Sequence, residues 1–537
     1  MANPLVTVLA FLLLAFALVA PNQLDLLTPG AFLRIPVEGL LGAVLVLVLP
    51  GRARRVAAVL AGVVLGLLAI LKVFDMGFFT VLDRPFDPLH DWSFVDAAVE
   101  FLNGSVGHAG AIGAMAAAAL LAVAVLAGMT FSALRLSRVV ARHGTAATGT
   151  AAVLGAAWVV CTLLGAQIVP GVPVAALASG RLLQIPASLR DQKNFAAELA
   201  VDPFRDAPAD KLLTALRGKD VVLAFVESYG RSAVADPRYA PKVGAVLSEG
   251  TRRLSAAGFS SRSAFLTSPT AGGGSWLAHS TLLSGLWVDN QQRYENLVKT
   301  GRLTLNRAFQ RADWRTVGVM PGVTRAWPEG KFFGYDQVYS AENLGYRGPR
   351  FNWGTMPDQY TLNTFQRTER TKKTRSPVMA EIPLVSSHAP WAPVPTLADW
   401  STVGDGSDFK ATGDSPDVVW RDPDRVRNEY RRSIEYSLNT LISYVETYGD
   451  DDLVVIFLGD HQPAPIITGP NASRDVPITI IAHDPAVIHQ ITDWHWQPGM
   501  TPGPQAPVWK MNTFRDHFLT TFSPDLHPTH LKAHAAP

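Results

Sequence analysis

The chain has 537 residues, and its 47 Lys and Arg residues against 45 Asp and Glu residues leave a formal net charge of +2. This near balance excludes the dense basic surface of a nucleic-acid-binding protein, and the single cysteine excludes an intramolecular disulfide and a cysteine metal cluster. Apolar residues crowd into the first third and charged residues dominate afterwards, which excludes a single soluble domain and predicts a membrane part followed by a soluble part.

Five apolar stretches before residue 180 predict five transmembrane helices, at residues 4–20, 35–50, 56–74, 109–134 and 146–172. A helix needs about 20 apolar residues to cross a bilayer, so the second stretch, which is short and contains Glu38, is the weakest of the five. A buried hairpin of soluble helices is the alternative, but so few charges over this length disfavour it. The first stretch lacks a basic segment and a cleavage site, so we interpret it as a retained helix. Residues 1–178 are therefore assigned to a transmembrane domain.

Arginines in the short loops predict the orientation of this domain. Because Lys and Arg are retained on the cytoplasmic side, the loops between spans two and three and between spans four and five are expected inside. An odd number of spans then places the chain after residue 172 outside the cytoplasm. Lys72 and Asp75, near the outer end of the third span, are interpreted as snorkelling or interfacial side chains, with a part in a substrate path as the secondary interpretation. The arginines of the two loops are Arg52, Arg54, Arg55, Arg135, Arg138 and Arg142.

From about residue 181 the composition becomes that of a mixed globular protein. We assign residues 179–216 as a polar, helix-prone connector and residues 217–537 as an extracytoplasmic catalytic domain. Continuous Val, Ile and Leu runs predict a mostly parallel central sheet with helices on both faces. A helical pattern over residues 426–448 precedes one of these runs, as expected for an α/β domain. The predicted strands are residues 221–226, 316–320, 379–385, 453–458 and 478–482.

Polar side chains follow three of the predicted strands. Glu227 follows the first, His388 follows the third, and Asp460 and His461 follow the fourth. Each alone is as easily a cap or a solvated turn, but ligands of open α/β sheets bind beyond the carboxyl ends of the strands. Two carboxylates and an imidazole that meet there disfavour one another unless a cation lies among them. Glu227, Asp460 and His461 are therefore predicted to bind Mn²⁺, Zn²⁺ or Mg²⁺.

A serine at the end of a glycine run is the candidate nucleophile. Residues 270–279 read TAGGGSWLAH, and a helical pattern runs from Ser275 to residue 286. Free backbone N–H groups at a helix N-terminus favour an alkoxide and a bound phosphate, and coordination to a cation lowers the pKa of a hydroxyl. The alternative is a flexible loop that ends in an N-capping serine. The sequence pattern by itself leaves both interpretations open.

The order of these residues resembles the alkaline phosphatase and sulfatase superfamily. Glu227 follows the first strand, Ser275 follows a glycine turn, and Asp460 and His461 come late in the chain. The spans ahead of an exported domain resemble lipoteichoic acid synthases and related phosphoglycerol and phosphoethanolamine transferases. The resemblance implies an alkaline-phosphatase-like α/β fold and a metal-dependent phosphotransferase that works through a phosphorylated Ser275, with Ser275 itself among the metal ligands.

The spacing after Ser275 also resembles this superfamily. Sulfatases place a Thr-Gly pair nine and ten residues after their nucleophile, and Ser284 and Gly285 lie at that distance here. Ser280 and Thr281 are then helix residues rather than nucleophiles. The sequence departs from the sulfatase pattern at residues 276–279, where WLAH replaces the x-Pro-x-Arg that formylglycine formation requires. Lipoteichoic acid synthases use threonine at the position of Ser275.

Further resemblances concern the metal and the substrate. No histidine follows His461 within the next twenty residues, which implies one divalent ion, with Mn²⁺ favoured. His388 stands where such transferases keep a substrate-side histidine, although a cap before Pro390 is the alternative. His279, four residues after Ser275, is assigned to substrate binding in place of the sulfatase arginine. The pocket is also expected to include Arg347, Trp353 and Asp358, although Asp358 is as easily a helix cap.

These observations predict a multi-pass protein of the cell membrane that transfers a phosphorus-containing group to or from an envelope lipid or glycan. A phosphodiesterase, phosphatase or sulfatase-type hydrolase of the same superfamily is the alternative reaction. A non-catalytic membrane anchor that binds lipid or polymer is the alternative of another class. The donor head group, the acceptor and the oligomeric state are left open.

Overall fold

The computed structural model of the protein describes residues 3–164, 174–351, 354–372 and 374–526. The chain divides into two compact units, Met1–Asp191 and Gln192–Pro537. The division falls inside a helix, Val174–Ala200. The predicted domain boundaries at residues 178 and 216 stay predictions.

The first unit is helical. Proline and glycine interrupt the backbone ladder at two places: Pro50 separates the second helix from the third, and Gly107 (φ 74°) breaks the fourth within its length. The first helix begins with Asn3, whose side chain accepts from the backbone N–H of Leu5. The helices are α1 (Pro4–Val19), α2 (Val37–Val48), α3 (Gly51–Leu82), α4 (Trp92–Arg142), α5 (Gly144–Leu163) and α6 (Val174–Ala200).

Among the described residues, four segments are long and apolar enough to cross a membrane: Pro29–Val48, Gly51–Leu82, Gly107–Arg142 and Gly144–Leu163. They correspond to the second to fifth predicted spans, and they indicate a membrane anchor. Helix α1 has 16 residues and falls short of a full crossing by length. The count of five spans therefore stays a prediction, and the end of the fifth, residues 165–172, lies outside the described residues.

The expectation that Lys72 and Asp75 are interfacial side chains is wrong, because they are only 3% and 0% exposed. Lys72 Nζ donates to the backbone oxygens of Ala17 (2.8 Å) and Ala20 (2.7 Å), which are free at the end of α1. The Asp75 carboxylate accepts from three donors of the same unit. These donors are Asn22 Nδ2 (2.9 Å), Phe86 N (3.0 Å) and Arg181 Nη2 (2.6 Å). The buried charges of Lys72 and Asp75 are therefore both hydrogen-bonded.

The second unit alternates strands and helices. The strands are β1 (Asp220–Val226), β2 (Ser260–Thr267), β3 (Arg315–Met320), β4 (Gln337–Ser340), β5 (Val378–Leu384), β6 (Val394–Pro395), β7 (Ala411–Thr412), β8 (Leu453–Gly459), β9 (Asp475–Ala482), β10 (Gln497–Pro498) and β11 (Val508–Lys510). The helices are α7 (Arg231–Ala235), α8 (Ala240–Ala256), α9 (Ser275–Ser284), α10 (Gln291–Leu297), α11 (Leu305–Arg311), α12 (Gly330–Phe333), α13 (Asp358–Phe365), α14 (Pro416–Val419), α15 (Pro423–Tyr448), α16 (Pro465–Thr468), α17 (Pro485–Gln490) and α18 (Phe514–Phe522).

Within the described part of the chain, nine strands form one sheet in the order β10-β2-β9-β8-β1-β5-β3-β4, with β11 beside β2. Strands β8, β1, β5, β3 and β4 run parallel, whereas β9 is antiparallel to both of its neighbours. The prediction of a mostly parallel sheet is confirmed, and the five predicted strands correspond to β1, β3, β5, β8 and β9. The sequence does not predict β2, because polar residues fill its first half.

The two faces of β1 show how the sheet is covered. Leu223 and Phe225 belong to one buried hydrophobic cluster together with side chains of α9, α11 and α18. Val222 and Ala224 belong to a second cluster with side chains of α8, α13 and α15. Because successive side chains of a strand point to opposite faces, helices cover both faces of this sheet, as an α/β domain requires.

Candidate active site

Two adjacent parallel strands bring the predicted metal ligands together. Glu227 directly follows β1, and Asp460 and His461 directly follow β8. The two strands pair with Val226 opposite Gly459, so they end at the same edge of the sheet. All three side chains are buried, and one ligand atom from each lies within 4.8 Å of the others.

Hydrogen bonds orient these side chains. Asp460 Oδ1 accepts from the backbone N–H groups of Ser228 (2.8 Å) and His461 (2.7 Å). His461 Nδ1 lies 2.9 Å from the backbone oxygen of Gln462, and a carbonyl only accepts, so Nδ1 carries the hydrogen. His461 Nε2 lies 3.3 Å from Glu227 Oε1 and 3.6 Å from Asp460 Oδ2. Nε2 of the histidine and Oδ2 of the aspartate are therefore the atoms left for a cation.

A glycine turn places Ser275 beside this group. Gly272 (φ 72°) and Gly274 (φ 80°) adopt the left-handed conformation that other residues rarely take. The N–H of Gly272 donates to a backbone oxygen in the loop after β8 (2.7 Å), which ties the turn to that loop. Ser275 is the first residue of α9. Its Oγ lies 3.0 Å from Glu227 Oε2 and 3.3 Å from His461 Nε2.

The neighbouring hydroxyls of α9 have other partners. Ser280 Oγ donates to the backbone oxygen of Trp276 (2.6 Å), and Thr281 Oγ1 lies 3.3 Å from a backbone oxygen beyond the helix. Helix α9 ends at Ser284, and Gly285 follows with φ 69°, so the helix stops at the pair that the sequence spacing singles out. Ser275 is therefore the hydroxyl of α9 that contacts the candidate ligands Glu227 and His461.

Burial and mutual charge shift the pKa values of this group. Burial, together with the charge of Glu227, raises the pKa of Asp460 to about 6. Burial opposes protonation of His461, but Asp460 and Glu227 outweigh it and raise the pKa of the imidazole to about 9. Burial also opposes ionisation of Glu227, but the charge and hydrogen bond of His461 outweigh it and lower the pKa of Glu227. Two buried carboxylates against one imidazole thus make the site attractive to a cation.

The donor set fits a divalent metal ion. Carboxylate oxygens, one imidazole nitrogen and a hydroxyl form a hard to borderline set of the kind that Mn²⁺, Zn²⁺ and Mg²⁺ accept. A histidine whose other ring nitrogen donates to a backbone carbonyl is also typical of metal-ligating histidines, because that hydrogen bond selects the tautomer. The residues that would hold the ion are Glu227, Ser275, Asp460 and His461.

His388 lies at the same edge of the sheet. It follows β5, which is parallel to β1 with Leu384 opposite Val226. The neighbouring Ser387 Oγ donates to the backbone oxygen of Glu227 (2.6 Å), which fixes the loop that carries the histidine. A positive charge on His388 lowers the pKa of Glu227, so the two side chains interact. Its part in substrate binding stays a prediction.

His279 lies one helical turn after Ser275. Its ring stacks on Phe225, with the ring centroids 3.7 Å apart and the planes at 14°. Its Nδ1 lies 3.1 Å from Glu381 Oε1, and its charge acts on Asp460 by lowering the pKa of that carboxyl. The sequence interpretation did not include Glu381, although a lone acid inside the apolar run of residues 379–385 was an available signal.

Asp358 does not line a pocket, because it is fully buried. Its carboxylate accepts from the backbone N–H of Ser386 (2.9 Å) and from Ser437 Oγ (2.6 Å), so it joins the loop after β5 to α15. Burial raises the pKa of this carboxyl. Arg347 donates its backbone N–H to the oxygen of Asp405 (2.9 Å), and its part in a pocket stays a prediction. Trp353 lies outside the described residues.

The sheet, its two helical layers and the buried cluster at its edge define an α/β domain with a candidate metal-binding site at the carboxyl ends of its strands. The sulfatase family model matches residues 219–475, so this part of the chain is a sulfatase-family domain. The matched segment contains Glu227, Ser275, Asp460 and His461.

Comparison with curated proteins gives no match. Three solved structures illustrate the similarity of fold. The lipoteichoic acid synthase LtaP from Listeria monocytogenes is 14% identical, with 58% of this chain and 74% of that chain covered at a TM-score of 0.39. The C-terminal periplasmic domain of EptC from Escherichia coli is 13% identical, with 58% and 85% covered at 0.38. The phosphoglycerol transferase GacH from Streptococcus pyogenes is 12% identical, with 62% and 93% covered at 0.35.

Proposed function

We propose that this protein is a membrane-bound, metal-dependent phosphotransferase whose nucleophile is Ser275. The observation that carries the proposal is the position of Ser275 Oγ on the first residue of α9, 3.0 Å from Glu227 Oε2 and 3.3 Å from His461 Nε2. A hydroxyl there donates a hydrogen bond to a carboxylate, and it lies at a helix N-terminus, where backbone N–H groups are free. The sulfatase-family match supports a transferase or hydrolase of this superfamily.

The reaction we propose has two steps. Ser275 Oγ gives its proton to solvent and forms a bond to phosphorus while the bond from phosphorus to the donor oxygen breaks. His388 supplies a proton to the departing alkoxide. An acceptor alcohol then loses its proton to His388 and forms a bond to phosphorus, the bond to Ser275 Oγ breaks, and the serine recovers a proton from solvent. Protons and bonds balance over the cycle.

Glu227, Ser275, Asp460 and His461 would hold one divalent ion in this scheme, and we propose Mn²⁺, with Zn²⁺ or Mg²⁺ as alternatives. When bound, the ion supplies positive charge that lowers the pKa of a hydroxyl and stabilises negative phosphoryl oxygens. Hydrogen bonds hold two of these ligands in position. Two backbone N–H groups donate to Asp460 Oδ1, and His461 Nδ1 donates to a backbone carbonyl.

The substrates we propose are envelope lipids or glycans that carry a phosphoglycerol or phosphoethanolamine group. Four apolar helices ahead of the catalytic domain support a membrane location, and the arginines of two short loops support an extracytoplasmic catalytic domain. The domains in this proposal are a transmembrane domain (1–178), a connector (179–216) and a catalytic domain (217–537). Water in place of the acceptor alcohol would make the same site a phosphodiesterase.

The nucleophile is tested by trapping the intermediate. Full-length protein in detergent, loaded with Mn²⁺, is incubated with bis(p-nitrophenyl) phosphate and quenched with acid. The modified residue is then mapped by mass spectrometry of the peptides. We expect a phosphorus-bearing adduct on the peptide that contains Ser275. Ser275→Ala should remove adduct and turnover, and Ser275→Thr should retain part of the turnover, because a threonine hydroxyl reaches the same place.

Ser280→Ala is the matched control, since it removes a hydroxyl from the same helix that contacts a backbone oxygen instead of the ligands. It should leave both adduct and turnover. An adduct on Ser280 or Thr281, or full activity in Ser275→Ala, would refute the assignment of the nucleophile. Intact metal binding without any adduct or turnover would favour the non-catalytic alternative, and turnover of aryl sulfates in preference to phosphate esters would favour a sulfatase.

A further inference from the structure

Glu381 is an acid in the middle of the central sheet. It lies on β5 between β1 and β3, opposite Leu223 on one side and Gly318 on the other. Its side chain is on the same face of β5 as Met379, which belongs to the hydrophobic cluster beneath α9. The residue is 1% exposed. A carboxylate in such surroundings costs several kcal/mol of stability unless it is fully hydrogen-bonded.

Three donors satisfy this carboxylate. His279 Nδ1 lies 3.1 Å from Oε1, while Asn306 Nδ2 (3.0 Å) and the Tyr335 hydroxyl (2.6 Å) donate to Oε2. Burial and the charge of Glu381 raise the pKa of Tyr335 well above its usual range, so its phenol keeps the proton that it donates. Gly318 leaves room for the Tyr335 ring, because a Cβ there would lie 3.3 Å from it.

This contact determines which edge of His279 faces away from the sheet. A carboxylate that already accepts two hydrogen bonds on Oε2 is an acceptor for Nδ1, so Nδ1 of His279 carries a hydrogen. The ring cannot turn freely, because it stacks on Phe225 at 3.7 Å. Nε2, on the opposite side of the ring, is then the atom that can reach a ligand. His279 lies on the same face of α9 as Ser275, and its charge already acts on Asp460.

We propose that Glu381 is a positioning residue that holds the protonated ring of His279 so that its Nε2–H donates to an oxygen of the phosphoryl group. The inference rests on the proposed function and adds a residue that supports its phosphate-binding side. Glu381 acts through His279 and does not touch the substrate. The competing explanation is that Glu381 only joins β5 to α9 and α11. In that case its substitution should lower the stability, and the effects of the Glu381 and His279 substitutions on phosphate binding should not be coupled.

The two explanations are separated by a double-mutant cycle on full-length, Mn²⁺-loaded protein in detergent. The variants are Glu381→Gln, His279→Ala and the pair together. The first measurement is the dissociation constant of inorganic phosphate by calorimetry, which requires no turnover. We expect each single variant to weaken phosphate binding about tenfold, the usual effect of losing a supporting partner. The double variant should be no weaker than His279→Ala, because Glu381 acts through that ring.

Glu369→Gln is the matched control. Glu369 is also 1% exposed and also accepts three hydrogen bonds, two from Arg315 and one from Tyr339. It should lose stability and keep the phosphate dissociation constant within about twofold of the wild type. If Glu381→Gln does not fold, Glu381→Asp, which keeps the charge but shortens its reach, is measured in its place and must show the same loss.

The second measurement is the hydrolysis of bis(p-nitrophenyl) phosphate. Glu381→Gln should lower kcat/KM about tenfold in the wild-type background and leave it unchanged in the His279→Ala background. Additive losses in the two variants, wild-type phosphate binding in Glu381→Gln, or no phosphate binding by the wild-type protein would overturn the positioning role. If the effects of the two substitutions on phosphate binding are coupled but no Ser275 adduct forms, Glu381 keeps its positioning role and Ser275 is not the nucleophile. If a Ser275 adduct forms but the effects are additive, Ser275 is the nucleophile and Glu381 has no positioning role.

Discussion

Two glycines let the loops of the candidate site approach each other. A Cβ on Gly459 would lie 1.8 Å from the backbone oxygen of Tyr229, and one on Gly230 would lie 1.8 Å from Gln462 Oε1. No side chain fits into such a gap, so neither position accepts even alanine without a backbone shift. The loops after β1 and β8 can therefore meet closely enough for their carboxylates to share one ligand.

At the same scale, the metal prediction concerns His461. Full-length protein should bind about one divalent ion per chain, measured by elemental analysis after dialysis against Mn²⁺. His461→Ala should weaken binding more than about 100-fold, because it removes the nitrogen ligand from a group of three. Two tightly held ions per wild-type chain would contradict the single-ion assignment.

His483→Ala is the control for that measurement. His483 pairs with Asp451 at 2.7 Å, and its side chain is 36% exposed, so its removal also deletes an imidazole–carboxylate contact of the same unit. The metal content should stay at the wild-type value. Equal loss in both variants would mean that the ion binds unfolded or surface histidines rather than the candidate site.

At the scale of elements, β1 is anchored at the end opposite to the site. Its first residue, Asp220, is 1% exposed and accepts from Arg370 Nε (2.9 Å), Arg375 Nη1 (2.6 Å) and the backbone N–H of Val378 (2.9 Å). Burial works against ionisation, but these three donors outweigh it and lower the pKa of Asp220. The strand that carries Glu227 at one end is thus held to the start of β5 at the other.

This anchor predicts a pH-dependent contribution to stability. The folded-state pKa of Asp220 lies below its unfolded value, so the contribution is complete above about pH 4 and is lost as the pH falls through the folded-state pKa. Asp220→Asn should lower the free energy of unfolding by about 3 kcal/mol at pH 7, and by less at pH 3, in urea titrations followed by tryptophan fluorescence.

Asp236→Asn is the comparison, because Asp236 pairs with the more exposed Arg238. A pair of this kind contributes about 0 to 1 kcal/mol. A loss in Asp220→Asn that is no larger than the loss in Asp236→Asn, or that grows as the pH falls, would contradict the anchoring role of Asp220.

At the scale of the whole molecule, a helical unit with four apolar helices precedes an α/β unit with the candidate site. The helical unit buries Asp75, and the carboxylate accepts hydrogen bonds from Asn22, Phe86 and Arg181 of the same unit. Buried charges in a membrane anchor are stable only when they are paired in this way. The paired charges thus support the interpretation of this unit as a folded bundle.

The orientation of the chain is tested by cysteine labelling in intact cells. Because Cys161 is the only cysteine, single cysteines can be placed in a Cys161→Ala background. A membrane-impermeant maleimide should label Asp408→Cys in the catalytic domain and should label Arg55→Cys and Arg138→Cys only after permeabilisation. Labelling of Arg138→Cys from outside would overturn the predicted topology.

The candidate site shows how far sequence reasoning reaches. Glu227, Asp460 and His461 can be chosen from sequence because each follows an apolar strand, and Ser275 because glycines precede a helical pattern. The structure brings these four side chains together. Glu381 stands out in the sequence only as a lone acid in an apolar run, and nothing near residue 381 in the chain indicates its partner on α9.

The sequence by itself indicated an apolar helical part followed by an α/β part, five strands of the sheet, the start of α9, and the residues at the strand ends. These features depend on local patterns: apolar length, strand composition, and glycines where the backbone turns left-handed. Only the tertiary structure decided the strand order, the antiparallel β9, the pairing of Asp75 and the contact of His279 with Glu381. Those contacts join residues far apart in sequence, 102 positions for His279 and Glu381, and depend on how strands and helices pack rather than on any local pattern.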